Sequence, residues 1–126
     1  MNRLLVIEDE HDTVKVLKKR LEKEGYEVIV AYDFYRGIEL LKKEHPDLVL
    51  LDLMLPAGGG ETVLAEMKKD PVTRDIPVIV VTGVTDDMVR ETIFKMGADE
   101  YIEKPYDAPK LLSTIETLLK KGEGER

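Results

Sequence analysis

The amino-acid sequence predicts an α/β fold, a doubly wound five-stranded parallel sheet with five helices on its two faces. Short apolar runs that are typical of buried strands recur along the chain, and amphipathic helical patterns separate them. Because crossover connections between parallel strands have one favoured hand, this alternation favours a parallel sheet with helices on both sides. A length of 126 residues is enough for one domain with a hydrophobic core and too short for two ordinary domains.

The strands are predicted from apolar runs bounded by turn residues or charges. In chain order they are Leu4–Ile7, Val28–Ala31, Leu48–Leu51, Val78–Val81 and Ala98–Ile102. The fifth run is the least apolar, because acidic residues interrupt it. The starts of the runs are unevenly spaced, which excludes a solenoid of regular repeats.

Apolar residues at helical spacing predict which faces of the helices are buried. Such stripes occur at Val14, Leu17 and Leu21, at Met88, Thr92 and Met96, and at Leu111, Ile115 and Leu118. Aspartates suited to N-caps and glycines suited to helix C-termini mark the boundaries. They are Asp33, Asp86 and Asp107, and Gly25, Gly97 and Gly122. These boundaries predict one domain over residues 1–121 and a flexible tail or linker stub over residues 122–126.

Composition argues against several classes of function. The net charge of −7 and the pI near 4.9 argue against direct nucleic-acid binding, which needs a basic surface, and against binding to an anionic membrane. Neither an apolar run of about 18 residues nor a charged-then-apolar leader is found, so a cytoplasmic location is expected. With no cysteine, the chain has no disulfide and no thiolate metal site.

Open α/β sheets bind ligands beyond the carboxyl ends of their strands, and this chain places charged and hydroxyl groups there. Glu8 and Asp9 come after the first strand, Asp52 after the third, Thr82 after the fourth and Lys104 after the fifth. Asp52 directly follows four apolar residues, so its carboxylate is expected at the edge of the core. An unpaired charge is costly in such a place, and we therefore expect a cation or strong hydrogen bonds to meet it.

This set of groups suits phosphoryl transfer to a carboxylate. Two carboxylates about 4 Å apart repel by roughly 4 kcal/mol at an effective dielectric of about 20, so a cation is needed among them. Since the chain has no cysteine, and His11 and His45 are expected on the surface, a hard oxygen-liking ion fits, either Mg²⁺ or Mn²⁺. Lys104 and the Thr82 hydroxyl would bind phosphoryl oxygens, which leaves Asp52 as the candidate nucleophile.

The same residues resemble the receiver domain of bacterial two-component response regulators, and the resemblance covers nearly the whole chain. The matching pieces, in order, are Glu8-Asp9, Asp52 followed by Pro56 and Gly60, Thr82-Gly83, Tyr101 and Lys104-Pro105. Any one of these pieces is common in unrelated proteins, whereas all of them in this order are not. The resemblance implies a flavodoxin-like sheet with strand order 2-1-3-4-5.

The resemblance also implies a role for each matching residue. Asp52 would be the phosphoacceptor, Lys104 would bind the phosphoryl group, and the switch pair would be Thr82 and Tyr101. The metal ligands would be Glu8, Asp9, Asp52 and the backbone carbonyl of Met54. The peptide bond between Lys104 and Pro105 would be cis.

Two residues depart from the family's usual pattern. Glu8 stands where an aspartate is common, and its longer side chain is expected to reach the metal through water. Gly59 also stands where an aspartate is common, which predicts a flexible turn over residues 58–60. Neither departure removes a group that phosphorylation needs.

The function implied by the resemblance is phosphorylation-operated signalling rather than enzymatic turnover. Magnesium-dependent transfer of a phosphoryl group from a phosphohistidine to Asp52 would switch the face formed by the fourth helix, the fifth strand and the fifth helix. The implied partners are a histidine kinase or a histidine phosphotransfer protein, and an output partner or effector domain that the sequence does not identify. Dimerisation linked to phosphorylation is left open.

Two other classes of protein share the fold or the chemistry. A Mg²⁺-dependent phosphatase with an aspartyl nucleophile normally has a second acid two residues after the nucleophile, where this chain has Met54. A receiver-like module that binds partners without phosphorylation would keep the fold and lose the site residues, whereas this chain has all of them. Both remain as alternatives to the phosphoacceptor.

Overall fold

Five parallel strands form one sheet in the order β2-β1-β3-β4-β5, as the resemblance implied. The structure is a computed structural model that describes residues 2–56 and 59–124. Its strands are β1 (Arg3–Ile7), β2 (Glu27–Ala31), β3 (Leu48–Leu51), β4 (Val78–Thr82) and β5 (Glu100–Glu103). Its helices are α1 (His11–Lys23), α2 (Phe34–Glu44), α3 (Gly59–Lys69), α4 (Asp87–Lys95) and α5 (Ala108–Gly124).

Helices cover both faces of the sheet, so the central strands are buried on two sides. On one face, α2, α3 and α4 pack against the sheet through residues that include Leu41, Leu64 and Ile93. On the other face, α1 and α5 pack through residues that include Leu17 and Ile115. This arrangement explains why β3 and β4 are continuous apolar runs rather than alternating ones.

Several helix ends follow the predicted capping pattern. The Asp33 carboxylate accepts a hydrogen bond from the Arg36 N–H at 2.8 Å, and Asp86 caps α4 in the same way. Gly25 and Gly97 have φ angles of 93° and 110°, which lie in the left-handed region that glycine adopts without strain. Asp107 directly precedes α5, and its backbone carbonyl accepts from the Leu111 N–H.

The structure corrects two predictions around α4. The fifth strand begins at Glu100 rather than Ala98, because the Ala98 N–H closes the end of α4 by donating to the Ile93 carbonyl. The buried stripe of α4 is also shifted. Met88 is 79% exposed, whereas Ile93 is 1% exposed and Met96 packs against the core beside it.

Glycine-rich segments are more helical than predicted. Helix α5 continues through Gly122 to Gly124, so the segment predicted as a tail begins inside a helix, and residues 125–126 lie outside the described ones. A helical φ is open to glycine, and glycine therefore weakens a helix without ending it. Gly59 and Gly60 stand at the start of α3, but Gly59 has a φ angle of 70°, in the left-handed region typical of a turn, and residue 58 lies outside the described ones.

Gly60 lies against the backbone of the segment that follows β3. A Cβ atom at this position would lie 2.2 Å from the Asp52 carbonyl oxygen and 2.6 Å from the Leu53 Cα. The Gly60 N–H also donates to the Leu53 carbonyl oxygen at 2.8 Å. This close approach requires glycine, and it joins the start of α3 to the end of β3.

The two ends of the parallel strands carry different groups. At the edge where the strands begin, a cleft of about 460 Å³ is lined by residues that include Asn2, Asp47, Pro77 and Gly122. At the edge where the strands end lie the polar groups predicted from the sequence. Among the described residues, no helix combines the length and the apolar character needed to cross a bilayer.

Candidate functional site

The sheet register brings the predicted site residues together at the carboxyl ends of the strands. Ile7 pairs with Leu51, and the Asp52 N–H donates to the Ile7 carbonyl oxygen at 3.0 Å, so Glu8 and Asp52 leave neighbouring strands side by side. On the other side, the Lys104 N–H donates to the Thr82 carbonyl oxygen at 2.8 Å. Parallel pairing therefore explains how residues far apart in the chain meet at one edge.

Lys104 is the cation that the buried Asp52 carboxylate was expected to need. Its Nζ donates to Asp52 Oδ2 at 2.8 Å and also to Glu8 Oε1. Asp52 is 7% exposed and Glu8 is 5% exposed, so both carboxylates are largely removed from water. The Lys104–Pro105 peptide is cis, as the resemblance implied.

The backbone that follows Asp52 supplies a second hydrogen bond to its carboxylate. The Met54 N–H donates to Asp52 Oδ1 at 2.9 Å, while the Met54 side chain is 65% exposed beside the site. Asp52 is thus held through both oxygens, one by an ammonium and one by an amide. This arrangement fixes the orientation of the carboxylate before any ligand binds.

Three carboxylates at this edge could hold a metal ion. Oxygens of Glu8, Asp9 and Asp52 all lie within 4.8 Å of one another. Asp9 is exposed to solvent and the other two are buried, so the cluster is open on one side. The role of the Met54 carbonyl as a further ligand stays a prediction.

The protein shifts the pKa values of Glu8 and Asp52 in opposite directions. Burial raises the pKa of Glu8 to about 7, and the neighbouring Asp52 charge adds to this rise although Lys104 opposes it. Burial acts on Asp52 in the same direction, but hydrogen bonds from Lys104 and the Met54 N–H outweigh it and lower its pKa. Asp52 is therefore ionised over a wider pH range than Glu8, which suits a nucleophile.

The two predicted switch residues, Thr82 and Tyr101, both hydrogen-bond to the backbone of Val84. Thr82 is fully buried, and its hydroxyl oxygen accepts from the Val84 N–H at 3.4 Å. The Tyr101 hydroxyl donates to the Val84 carbonyl oxygen at 2.7 Å, and the residue is 4% exposed. Tyr101 is thus turned inward in this structure, and Val84 connects the two switch residues.

Some features of the site were not predicted from the sequence. The contact between Glu8 and Lys104 was missed, because Glu8 was considered only as a metal ligand. Val84 was not recognised as the acceptor for the tyrosine, since a backbone carbonyl leaves no signal in the sequence. His11 is exposed as expected, but its ring stacks on Tyr32 with centroids 3.9 Å apart and an interplanar angle of 1°.

Comparisons with known proteins agree with this geometry. Residues 4–116 match the model of the family described as the response regulator receiver domain. The probable transcriptional regulator ycf27 of Porphyridium aerugineum is 39% identical, over 94% of this chain and 48% of that protein. The phosphate regulon transcriptional regulatory protein PhoB of Escherichia coli is 34% identical, over 94% of this chain and 52% of that protein.

A solved structure shows the same likeness over the whole chain. The CheY-like response regulator receiver domain protein of Methanospirillum hungatei superposes with a TM-score of 0.94 at 31% identity, covering 100% of this chain and 99% of that one. The chain spans about half the length of the curated relatives it matches. By its matched sequence, its sheet order and the residues at the sheet edge, this chain belongs to the response regulator receiver domain family.

Proposed function

We propose that this receiver domain is a Mg²⁺-dependent phosphoacceptor that takes a phosphoryl group from a phosphohistidine onto Asp52. The observation that carries the proposal is the Asp52 carboxylate itself. It is buried, yet it is held ionised by Lys104 and oriented by the Met54 N–H at the open end of the sheet. A carboxylate in this condition is a poised nucleophile rather than a structural ion pair.

The residues present fit a hard divalent cation. All the candidate ligands are oxygens, from Glu8, Asp9, Asp52 and the Met54 carbonyl, and the carboxylate oxygens are grouped closely enough to share one ion. Burial is the main cause of the raised pKa of Glu8 and the neighbouring Asp52 adds to it, so a cation bound among these carboxylates would favour the ionised form of Glu8. When bound, Mg²⁺ would supply charge neutralisation for the phosphoryl oxygens.

In the proposed transfer, an oxygen of Asp52 forms a bond to phosphorus while the bond from phosphorus to the imidazole nitrogen of the donor breaks. The imidazole leaves with the electron pair of that bond. Lys104, already within 2.8 Å of Asp52 Oδ2, provides positive charge for the phosphoryl oxygens, and Thr82 offers a hydroxyl. Each transfer occupies Asp52 until water hydrolyses the acyl phosphate, so the chain acts as a self-phosphorylating and self-dephosphorylating regulator rather than as a turnover enzyme.

We further propose that the phosphoryl group changes the face formed by α4, β5 and α5. The connection runs from Thr82 through the Val84 backbone to Tyr101, which lies in β5. A histidine kinase or histidine phosphotransfer protein would supply the phosphoryl group. The output would pass to an effector domain or a partner protein, in keeping with the transcriptional regulators to which the chain is similar over half their length.

Intact mass spectrometry tests the proposal. Purified protein is incubated with acetyl phosphate, with and without Mg²⁺, as wild type, as Asp52→Asn and as Asp75→Asn, an exposed aspartate away from the site. We expect one phosphoryl adduct on the wild type and on Asp75→Asn, only with Mg²⁺, and none on Asp52→Asn. No adduct on the wild type under acidic quench would overturn the proposal and favour a module that binds partners without phosphorylation. Turnover of a small phosphoester by catalytic amounts of the protein would favour the phosphatase.

A further inference from the structure

Arg90 of α4 lies between two aromatic rings, one of which belongs to the switch tyrosine. Its guanidinium carbon is 5.5 Å from the centroid of the Tyr101 ring and 5.8 Å from that of Phe94. The two ring centroids are 6.4 Å apart, with a tilt of 41° between the ring planes. The cation therefore occupies the opening between the rings and contacts both, at distances typical of cation–π attraction.

The position of Arg90 is restrained by more than the tyrosine. Phe94 lies one helical turn further along α4, so the contact between Arg90 and Phe94 is made within one rigid element. On the other side, the guanidinium lies 3.9 Å from the Glu103 carboxylate in β5. Both contacts lie on the side of α4 that faces β5, where the ring of an inward Tyr101 is found.

Among the contacts that the structure describes, few other polar groups stabilise the inward orientation of Tyr101. Its hydroxyl makes one hydrogen bond, to the Val84 carbonyl, at 2.7 Å. Val84 lies in the loop between β4 and α4, whose conformation is expected to depend on Thr82 and the phosphoryl group. A residue of α4 that contacts the Tyr101 ring would stabilise its inward orientation independently of that loop.

We propose that Arg90 is a positioning residue for the switch tyrosine and that its contact with the two rings stabilises the inward orientation of Tyr101. The inference rests on the proposed function, because it assigns a regulator to the same switch. Outward rotation of Tyr101 takes the ring away from a cation that Phe94 and Glu103 hold in place, so the contact favours only one orientation. Arg90 thus raises the inward population before phosphorylation.

The test measures the orientation of Tyr101 directly in the unphosphorylated protein. The chain is labelled with 3-fluorotyrosine, and the Tyr101 signal is assigned by its loss in Tyr101→Phe. Two ¹⁹F NMR readouts are recorded, the solvent isotope shift between H₂O and D₂O and relaxation dispersion, which detects a minor outward population in exchange on the millisecond timescale. The variants are Arg90→Met, Arg90→Lys and Lys95→Met.

Lys95→Met is the matched control, since Lys95 carries the same charge on the same helix and pairs with Glu91. We expect Arg90→Met to raise the outward-to-inward ratio of Tyr101 by about two- to five-fold, the range that corresponds to a cation–π contact at a partly exposed site. Arg90→Lys keeps a cation, so its outward-to-inward ratio should lie between those of the wild type and Arg90→Met. Lys95→Met should leave the ratio unchanged.

An unchanged ratio in Arg90→Met would overturn the inference, and so would an equal change in Arg90→Met and Lys95→Met, which would indicate a general effect of charge. Circular dichroism verifies that each variant is folded. Phosphorylation takes no part in these measurements. A failure here is therefore distinct from a failure of the phosphoacceptor proposal, which the mass measurement detects.

Discussion

Lys104 contacts two carboxylates that lie 52 and 96 residues away in the chain. The ammonium lies at the edge of the site, where its side chain is 25% exposed, while both carboxylates are buried more deeply. Removing a partner from a buried ionic cluster costs more than the cluster contributes when it is complete, because a charge is left without compensation. The cost of losing Lys104 must therefore depend on whether the carboxylates can take up protons.

We expect Lys104→Met to lower the free energy of unfolding by about 1–3 kcal/mol at pH 8 and by less at pH 5. Loss of the ammonium raises the pKa values of Glu8 and Asp52, so at pH 5 protonation relieves part of their repulsion. Urea denaturation at the two pH values, without metal, measures the difference. Lys95→Met, on an exposed lysine, should change little at either pH. An equal loss for Lys104→Met at both pH values would contradict this account.

At the scale of single residues, the sequence predicted the components of the site better than their contacts. Asp52, Thr82 and Lys104 were placed at one sheet edge because each follows a strand, and the structure places them there. The hydrogen-bond partners of these groups depend on side-chain rotamers and on the positions of backbone carbonyls, which residue types alone do not indicate. The acceptor for Tyr101 is a carbonyl of Val84, and any residue type at position 84 would present one.

At the scale of elements, the junction between β3 and α3 depends on one glycine. We expect Gly60→Ala to lower the free energy of unfolding by about 3 kcal/mol, at the upper end of the range for overpacking, because the added Cβ would meet backbone atoms that cannot rotate away. Gly122→Ala is the matched comparison. It lies inside α5 with nothing within 4 Å of an added Cβ, so it should stabilise the protein by up to about 1 kcal/mol.

Chemical denaturation of the two variants gives the comparison directly. Opposite signs are expected for the same substitution, and the difference comes only from the surroundings of each glycine. If Gly60→Ala proved as stable as the wild type, the backbone at the start of α3 would have to be able to move away from Asp52. Phosphorylation of Gly60→Ala should then also be measured, since the same movement would shift the Asp52 backbone.

Strands were predicted more accurately than helix faces and helix ends, for a physical reason. A strand buried on both sides has only apolar residues, as in β3, and few other structures show such a run. Helix α4 instead has apolar residues at Met88 and at Ile93, which lie on different faces, and only packing against the sheet decides between them. The end of α5 was misplaced because a glycine is compatible both with a helix and with its end.

At the scale of the whole molecule, acid–base and metal equilibria are linked to folding. Glu8 has a pKa of about 7 in the folded protein, above its ordinary value of 4.5, so the folded state binds more protons than the unfolded state between these values. The contribution of Glu8 to stability is therefore greatest below pH 4.5 and falls as the pH rises to about 7. Asp52 contributes in the opposite sense, since its lowered pKa gives stability that is lost only in acid.

Mg²⁺ should stabilise the folded protein more at pH 8 than at pH 5.5, because at the lower pH it must displace the proton from Glu8. At a concentration 100-fold above its dissociation constant, a ligand stabilises by about 2.7 kcal/mol, which sets the size of the expected effect at pH 8. Urea denaturation with and without MgCl₂ at both pH values provides the measurement. In Glu8→Gln the increment should be smaller and nearly independent of pH; increments that match at the two pH values in the wild type would contradict the linkage.

Asn2, which precedes β1, and Gly122, near the end of α5, both line the cleft at the amino ends of the strands, on the side of the sheet opposite Asp52. This nearness suits circular permutation of the described domain, in which a short linker joins the segments near residues 2 and 122 and new ends are opened elsewhere on the surface. It also suits fusion to fluorescent proteins. A reporter attached at either position would stand on the far side of the sheet from Asp52 and leave the carboxyl ends of the strands unobstructed.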